Sequence, residues 1–198
     1  MTEKNQSTLG PPSNPEKTSP EAVLDTTQEQ KVQEIIERML LHVRLGEAGI
    51  FIISTSNERI KKEIEERLKQ GLGDFKFYCL NQEEAQDPGA AMRWLVGGYT
   101  KELKALKDFE GGQSVPDQKI AKHGALDPKQ TVFVLDLHSS AVPEKINKSI
   151  QALNIRREHI VDYKILFLLW LPSEYTSREI IEYGKDFWSF RTTYNRFE

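Results

Sequence analysis

GIFIISTSNERIKKEIEERLKQ, residues 49–70, decides how the chain is read. Residues 50–54 are apolar on both faces, as expected of a parallel strand covered by helices. Ile60, Ile64 and Leu68 then place one apolar face on a helix over 57–70. Only the short turn STSNE separates the two. A buried strand, a tight turn and an amphipathic helix form the opening unit of an α/β fold.

The same alternation continues along the chain. Residues 75–80 (FKFYCL), 131–137 (TVFVLDL) and 164–171 (KILFLLWL) read as strands, with a weaker fifth over 192–197 (TTYNRF). In FKFYCL, Phe75, Phe77 and Cys79 form one face and Lys76 and Tyr78 the other; Cys79 reads as a small buried hydrophobe. Helical patterns fall between the strands. Residues 89–108 carry Met92, Leu95, Leu103 and Leu106, with Gly97 and Gly98 as a weak point. Residues 144–160 carry Ile146, Ile150, Leu153 and Arg157 on one stripe, with Pro143 near the first turn. A short helix is expected over 174–183, and 110–130 reads as a long polar loop. No internal repeat is visible.

Before the first strand, Val32, Ile35, Ile36, Met39, Leu40 and Val43 recur at helical spacing, and Gly46 ends the run. Thr26 and Glu29 have the spacing of a capping box. The polar face, with Lys31, Glu34 and Arg38, implies that the other face packs on the sheet. Residues 1–24 hold four of the nine prolines and almost no large apolar side chain, so they read as a disordered tail. The ordered domain is 25–198.

Composition narrows the function classes. With 27 basic and 30 acidic residues, the net charge of −3 supplies no general attraction to nucleic acid or anionic lipid. One cysteine excludes an internal disulfide and a thiolate zinc cluster. That, with no signal peptide, points to the cytoplasm. The longest apolar run, ILFLLWL, is far short of the roughly 20 residues that span a bilayer.

A working phosphate loop has the form G-x-x-x-x-G-K-[S/T], with glycines that turn backbone N–H groups inward and a lysine for the terminal phosphates. Here Gly49 precedes the strand, and the turn has neither glycine nor lysine. Ser54, Thr55 and Ser56 offer hydroxyls, but Ser56 or Asn57 suits the helix N-cap, where it occupies the donors a phosphate needs. Lys61 and Lys62 stand about one turn inside the helix.

TVFVLDLHSS, residues 131–140, ends a strand on an acid, Asp136, at the place where phosphate-loop enzymes hold the magnesium shell. The usual second acid is missing, since Leu137 and His138 follow. Asp136 and His138 share a face and form a weak metal-ligand pair, too few to make a site. Alternatively, Asp136 accepts hydrogen bonds from loop amides at the carboxyl edge of the sheet. His42, His123, His138 and His159 are scattered, none in an H-E-x-x-H, G-x-S-x-G or kinase-like context. No catalytic residue is assigned.

ALNIRREHI (152–160), KILFLLWLP (164–172) and DFWSFRTTYNRFE (186–198) follow one another at short spacings. With the opening helix and GIFIIS, they resemble a module of prokaryotic multidomain proteins that usually precedes tetratricopeptide repeats. That module is similar to a diverged signal-transduction NTPase of the STAND class, in the AAA+-like lineage. The resemblance covers residues 28–198, and DFWSFR is its specific part. Phe190 stands where tryptophan is usual, and Tyr183-Gly184-Lys185 precedes the motif.

The resemblance implies a three-layer, mostly parallel five-stranded P-loop NTPase-like sheet in the order 5-1-4-3-2, with 75–80 and 192–197 at the edges. It implies a degenerate NTPase-like domain, with no cofactor, that serves as a signalling or scaffold element. Its partner would be a tetratricopeptide-repeat or effector protein, in the same chain or supplied in trans. The alternative is an atypical domain that binds or hydrolyses ATP or GTP with magnesium, using Ser54, Thr55, Ser56, Asn57, Asp136 and Arg191. Physically, Phe187, Trp188 and Phe190 read as a core plug, and Arg191 as a partner for Asp136 or a substitute sensor arginine. Asn154 and Arg157 read as a structural network or a ligand clamp.

Overall fold

The structure, a computed structural model, describes residues 24–97, 126–138 and 142–197. Helix α1 (Thr26–Leu45) leads into β1 (Gly49–Ser54), α2 (Glu58–Leu72), β2 (Lys76–Cys79) and α3 (Pro88–Gly97). Then come β3 (Thr131–Asp136), α4 (Pro143–Ile155), α5 (Arg157–Asp162), β4 (Leu166–Leu171), α6 (Ser177–Ser189) and β5 (Thr193–Arg196). Short 3-10 turns at Glu84–Gln86 and Pro128–Gln130 precede α3 and β3.

All five strands are parallel, in the order β2-β3-β4-β1-β5, the order expected from the sequence. Ser54 is level with Leu171, and Asp136 with Trp170, so β1, β3 and β4 end together. Side chains alternate between two cores. Phe51, Ile53, Val132, Val134, Leu168 and Trp170 face α1 and α2. Ile50, Ile52, Phe133, Leu135, Phe167 and Leu169 face α3 to α6. The step from β1 to β2 runs one way along the sheet, with its helix on the first face. The later steps run the other way, with helices on the second face, so every crossover has one hand. The result is a three-layer α/β fold.

The local chemistry shifts several boundaries. Asp25, not Thr26, caps α1: its carboxylate accepts from Gln28 N at 2.8 Å, and Gln28 answers in a capping box. Gly46 closes that helix at φ 62°, a conformation that favours glycine. The helix expected over 144–160 is two helices, broken at Arg156, where φ is −116° and ψ 21°. The short helix expected over 174–183 runs on to Ser189, so Phe187 and Trp188 are helical and do not follow the helix. Cys79 is exposed on edge strand β2 and is not a buried hydrophobe. The proposed tail up to residue 23, Gly98, Leu103 and Leu106 of the expected 89–108 helix, His123 and loop residues 110–125 lie outside the described residues.

Helix α6 packs closely on α4. It kinks at Gly184, where an added Cβ would sit 2.7 Å from Ile150 Cγ2. The kink leaves the amide of Phe187 to a partner outside its own helix: it donates to Asn154 Oδ1 at 2.8 Å. Asn154 and Gly184 thus cooperate to set Phe187 into the core, fully buried and edge-on to Phe167 with centroids 6.5 Å apart. Among the described residues, no helix is long and apolar enough to cross a membrane.

Candidate functional site

The β1–α2 turn lies at the carboxyl edge of the sheet, where open α/β sheets hold their ligands. Its polar groups are engaged within the protein. Ser54 is buried, and its hydroxyl lies 2.7 Å from Pro172 O and 3.0 Å from Tyr175 O. Ser56 Oγ contacts Ser173 Oγ and accepts from Ser173 N at 3.3 Å. Thr55 N donates to Leu171 O at 3.0 Å, and Thr55 Oγ1 accepts from Asn57 N at 3.0 Å. Asn57 is the N-cap of α2, with Oδ1 accepting from Arg59 N and Ile60 N at 3.0 and 3.4 Å. Ser54 and Ser56 therefore form a hydrogen-bonded seam with the segment after β4, while Thr55 bonds the end of β4 and Asn57 caps α2.

That segment is fastened from other sides as well. Tyr194 OH donates to Tyr175 O at 3.2 Å, and Arg196 Nε to Ser173 O at 3.1 Å. Tyr175 OH lies 3.2 Å from Pro143 O and 3.1 Å from Asn147 Oδ1. Burial pushes the Tyr175 and Tyr194 phenols up, against their ionisation.

Asp136 is held by two groups. Its Oδ1 accepts from His138 N at 3.0 Å, the loop-amide arrangement expected of a satisfied acid. Its Oδ2 pairs with Lys61 Nζ. Lys61 stands one turn inside α2, but helical side chains lean toward the amino end. Its four-carbon stem therefore reaches back to the end of β3. Burial of Lys61 is the largest single influence on it and opposes its charge. The hydrogen bond to Asp136, with the attraction of Asp136, Glu58 and Glu65, outweighs burial and raises its pKa. Glu58 Oε1 lies 2.9 Å from His138 Nδ1, but without the alignment of a hydrogen bond. Asp136 and His138 do not gather a third ligand: no group of three or more histidine, cysteine or carboxylate side chains is placed to hold a metal among the described residues.

The carboxyl-terminal motif sits elsewhere. Thr192 N donates to Ile50 O at 2.7 Å, so Arg191 lies at the amino edge of the sheet, opposite Asp136. Its guanidinium stacks 3.7 Å from the Trp188 ring centroid, and Nη1 donates to Trp188 O at 2.8 Å. It pairs with the motif's own tryptophan and not with Asp136. Of the aromatics, Phe187 alone is fully buried; Trp188 is half-buried against Tyr194, and Phe190 is 41% exposed. Arg157 lies over the Phe190 ring at 5.6 Å and donates to Asn154 O at 2.7 Å. Asn154 and Arg157 thus form a structural network around α6. The structure gathers Ser54 to Asn57 and Asp136 at one edge of the sheet, and Asn154, Arg157 and residues 187–191 in a second cluster.

Sequence reasoning named Lys61 but missed its pairing with Asp136, and it missed Ser173 and Tyr175 in the segment 172–175. The signal for Lys61 was its place on the first turn of a helix beside a strand-ending acid. For Ser173 and Tyr175 no signal existed, because their partners are more than a hundred residues away or on another helix.

On the α4 side of the same edge, an open cleft of about 680 Å³ lies between Leu80, Asn81, Asp136, Val142, Lys145 and Lys148. Comparison of the chain with protein-family models, curated proteins and solved structures gives no match to any of them.

Proposed function

We propose that the chain is a non-catalytic domain on a P-loop NTPase-like frame, a cytoplasmic signalling or scaffold element that works by binding another protein. The STAND-like resemblance makes a tetratricopeptide-repeat or effector protein the expected partner, in cis or in trans. The observation that carries the reading is the closed β1–α2 turn. Ser54, Ser56 and Asn57 spend their polar groups on the protein, and Lys61 is held by Asp136. A phosphate chain entering there would have to break the Asn57 cap and the Ser56–Ser173 contact with no glycine to open the backbone.

Thermal melting with millimolar ATP or GTP, with and without magnesium, tests this, with no magnesium-dependent stabilisation expected. A ligand at 100 times its Kd adds about 2.7 kcal/mol, which is roughly 5–10 °C for a domain this size. A magnesium-dependent shift of that order that disappears in Asp136→Ala would overturn the reading in favour of an atypical nucleotide-binding domain. Purification from a native lysate under nucleotide-free conditions, with a Leu41→Glu/Leu45→Glu control at the two exposed leucines of α1, then identifies the partner.

A further inference from the structure

We propose that the cleft between the ends of β2 and β3 and helix α4 binds a small organic phosphate. It is separate from the closed β1–α2 turn, because it opens on the face covered by α3 and α4, whereas α2 lies on the other. Its volume of about 680 Å³ falls in the usual range for small-molecule sites, about 300–1,000 Å³.

Among the described residues the lining offers the ammonium groups of Lys145 and Lys148 and the amides of Asn81, Gln82 and Gln86 as donors. Lys145 and Lys148, one turn apart on α4, carry no ion pair among the described residues. Asn81 uses its Oδ1 to accept from Glu83 N and Glu84 N, both at 3.0 Å, which leaves its NH₂ group to donate. Asp136, the one lining carboxylate among the described residues, is already met by Lys61 and by His138 N, so it does not cancel the two lysines. Val142, at the N-cap of α4, makes no side-chain cap, but Glu144 in the first turn offsets the helix dipole, so the positive field at the cleft comes from Lys145 and Lys148. This field selects an anion. The apolar wall of Leu80, Leu137 and Val142 selects an organic body attached to it.

Titration of the ¹⁵N-labelled full chain with phenyl phosphate and with inorganic phosphate, at constant ionic strength and without metal, tests the site. Phenyl phosphate should give saturable amide shifts centred on Asn81, Lys145 and Lys148, and should bind about tenfold tighter than inorganic phosphate through its buried ring. Lys145→Ala/Lys148→Ala should weaken it at least about tenfold. Lys145→Arg/Lys148→Arg should retain it, and Lys62→Ala, an exposed lysine on α2, should change nothing. The substituted lysines are exposed, so the variants keep the fold. Shifts that do not saturate, or binding unchanged in the double alanine variant, would overturn the proposal. Equal affinity for the two probes would remove the organic body from it. Because the assay omits magnesium and nucleoside triphosphate, its result is independent of the nucleotide test above.

Discussion

The three aromatics of DFWSF differ in burial, and their substitutions should differ in the same order. Phe187 is wholly buried between α4 and the sheet, with its ring edge-on to Phe167. Phe187→Ala removes a full core aromatic beneath the α4–α6 contact, and such changes cost about 3–5 kcal/mol. Trp188 is larger but half-buried, packed against Tyr194 on one side and stacked by Arg191 on the other. Losing about half of its burial and an exposed cation–π contact should cost about 2 kcal/mol. Phe190, 41% exposed, should cost about 1 kcal/mol or less. Urea unfolding followed by far-ultraviolet circular dichroism measures all three without depending on tryptophan emission. A domain of this size holds about 5–15 kcal/mol in total, so Phe187→Ala will be marginal. Phe187→Leu, expected to cost about 1 kcal/mol, keeps the position measurable. If Trp188→Ala destabilises as much as Phe187→Ala, or more, then the tryptophan is the core plug and the packing described here is wrong.

Three further outcomes follow from the same contacts. Lys61→Met leaves Asp136 without its cation and should cost about 1–2 kcal/mol, less than a fully buried pair because Asp136 is 32% exposed; Lys61→Met/Asp136→Asn should recover part of that loss in a double-mutant cycle, and strict additivity would show the pair to be uncoupled. Gly184→Ala pushes a methyl group against Ile150 Cγ2 and should cost about 1–3 kcal/mol; adding Ile150→Leu, which removes that branch, should reduce the penalty, as chemical denaturation will show. Stability should fall as pH rises past about 10, because the Lys61, Tyr78, Tyr175 and Tyr194 pKa values are all raised in the fold above ordinary values of 10.5 and 10.0. A raised folded pKa means that stability is intact below the unfolded value and is lost as pH climbs through the folded one; Tyr78, shielded by burial and donating to Glu84 Oε1 at 2.9 Å, should be among the last phenols to ionise in an alkaline absorbance titration, and Tyr78→Phe should remove its share of the slope.

The sequence alone determined the three-layer α/β architecture, the five strands and, through the resemblance at the carboxyl terminus, their order. Two-sided apolar runs such as IFII and LFLLWL can be buried only between two helical layers, so their chemistry is local and legible. The absence of a phosphate loop was equally legible, since glycine and lysine at fixed positions either stand in the turn or do not. What turn residues bond to is a different kind of fact. That Ser56 meets Ser173, that Lys61 reaches Asp136 and that Asn154 takes the amide freed by the Gly184 kink depends on where the ends of distant strands and helices come to rest. Arg191 shows the limit most plainly. From the sequence it was a charge in search of an acid, and the tertiary structure put it at the other end of a parallel sheet, several strand residues away from Asp136 and face to face with Trp188. Patterns of burial repeat with the period of the local backbone and can be read along the chain; the pairing of single polar groups is set by register between elements, which no local period encodes.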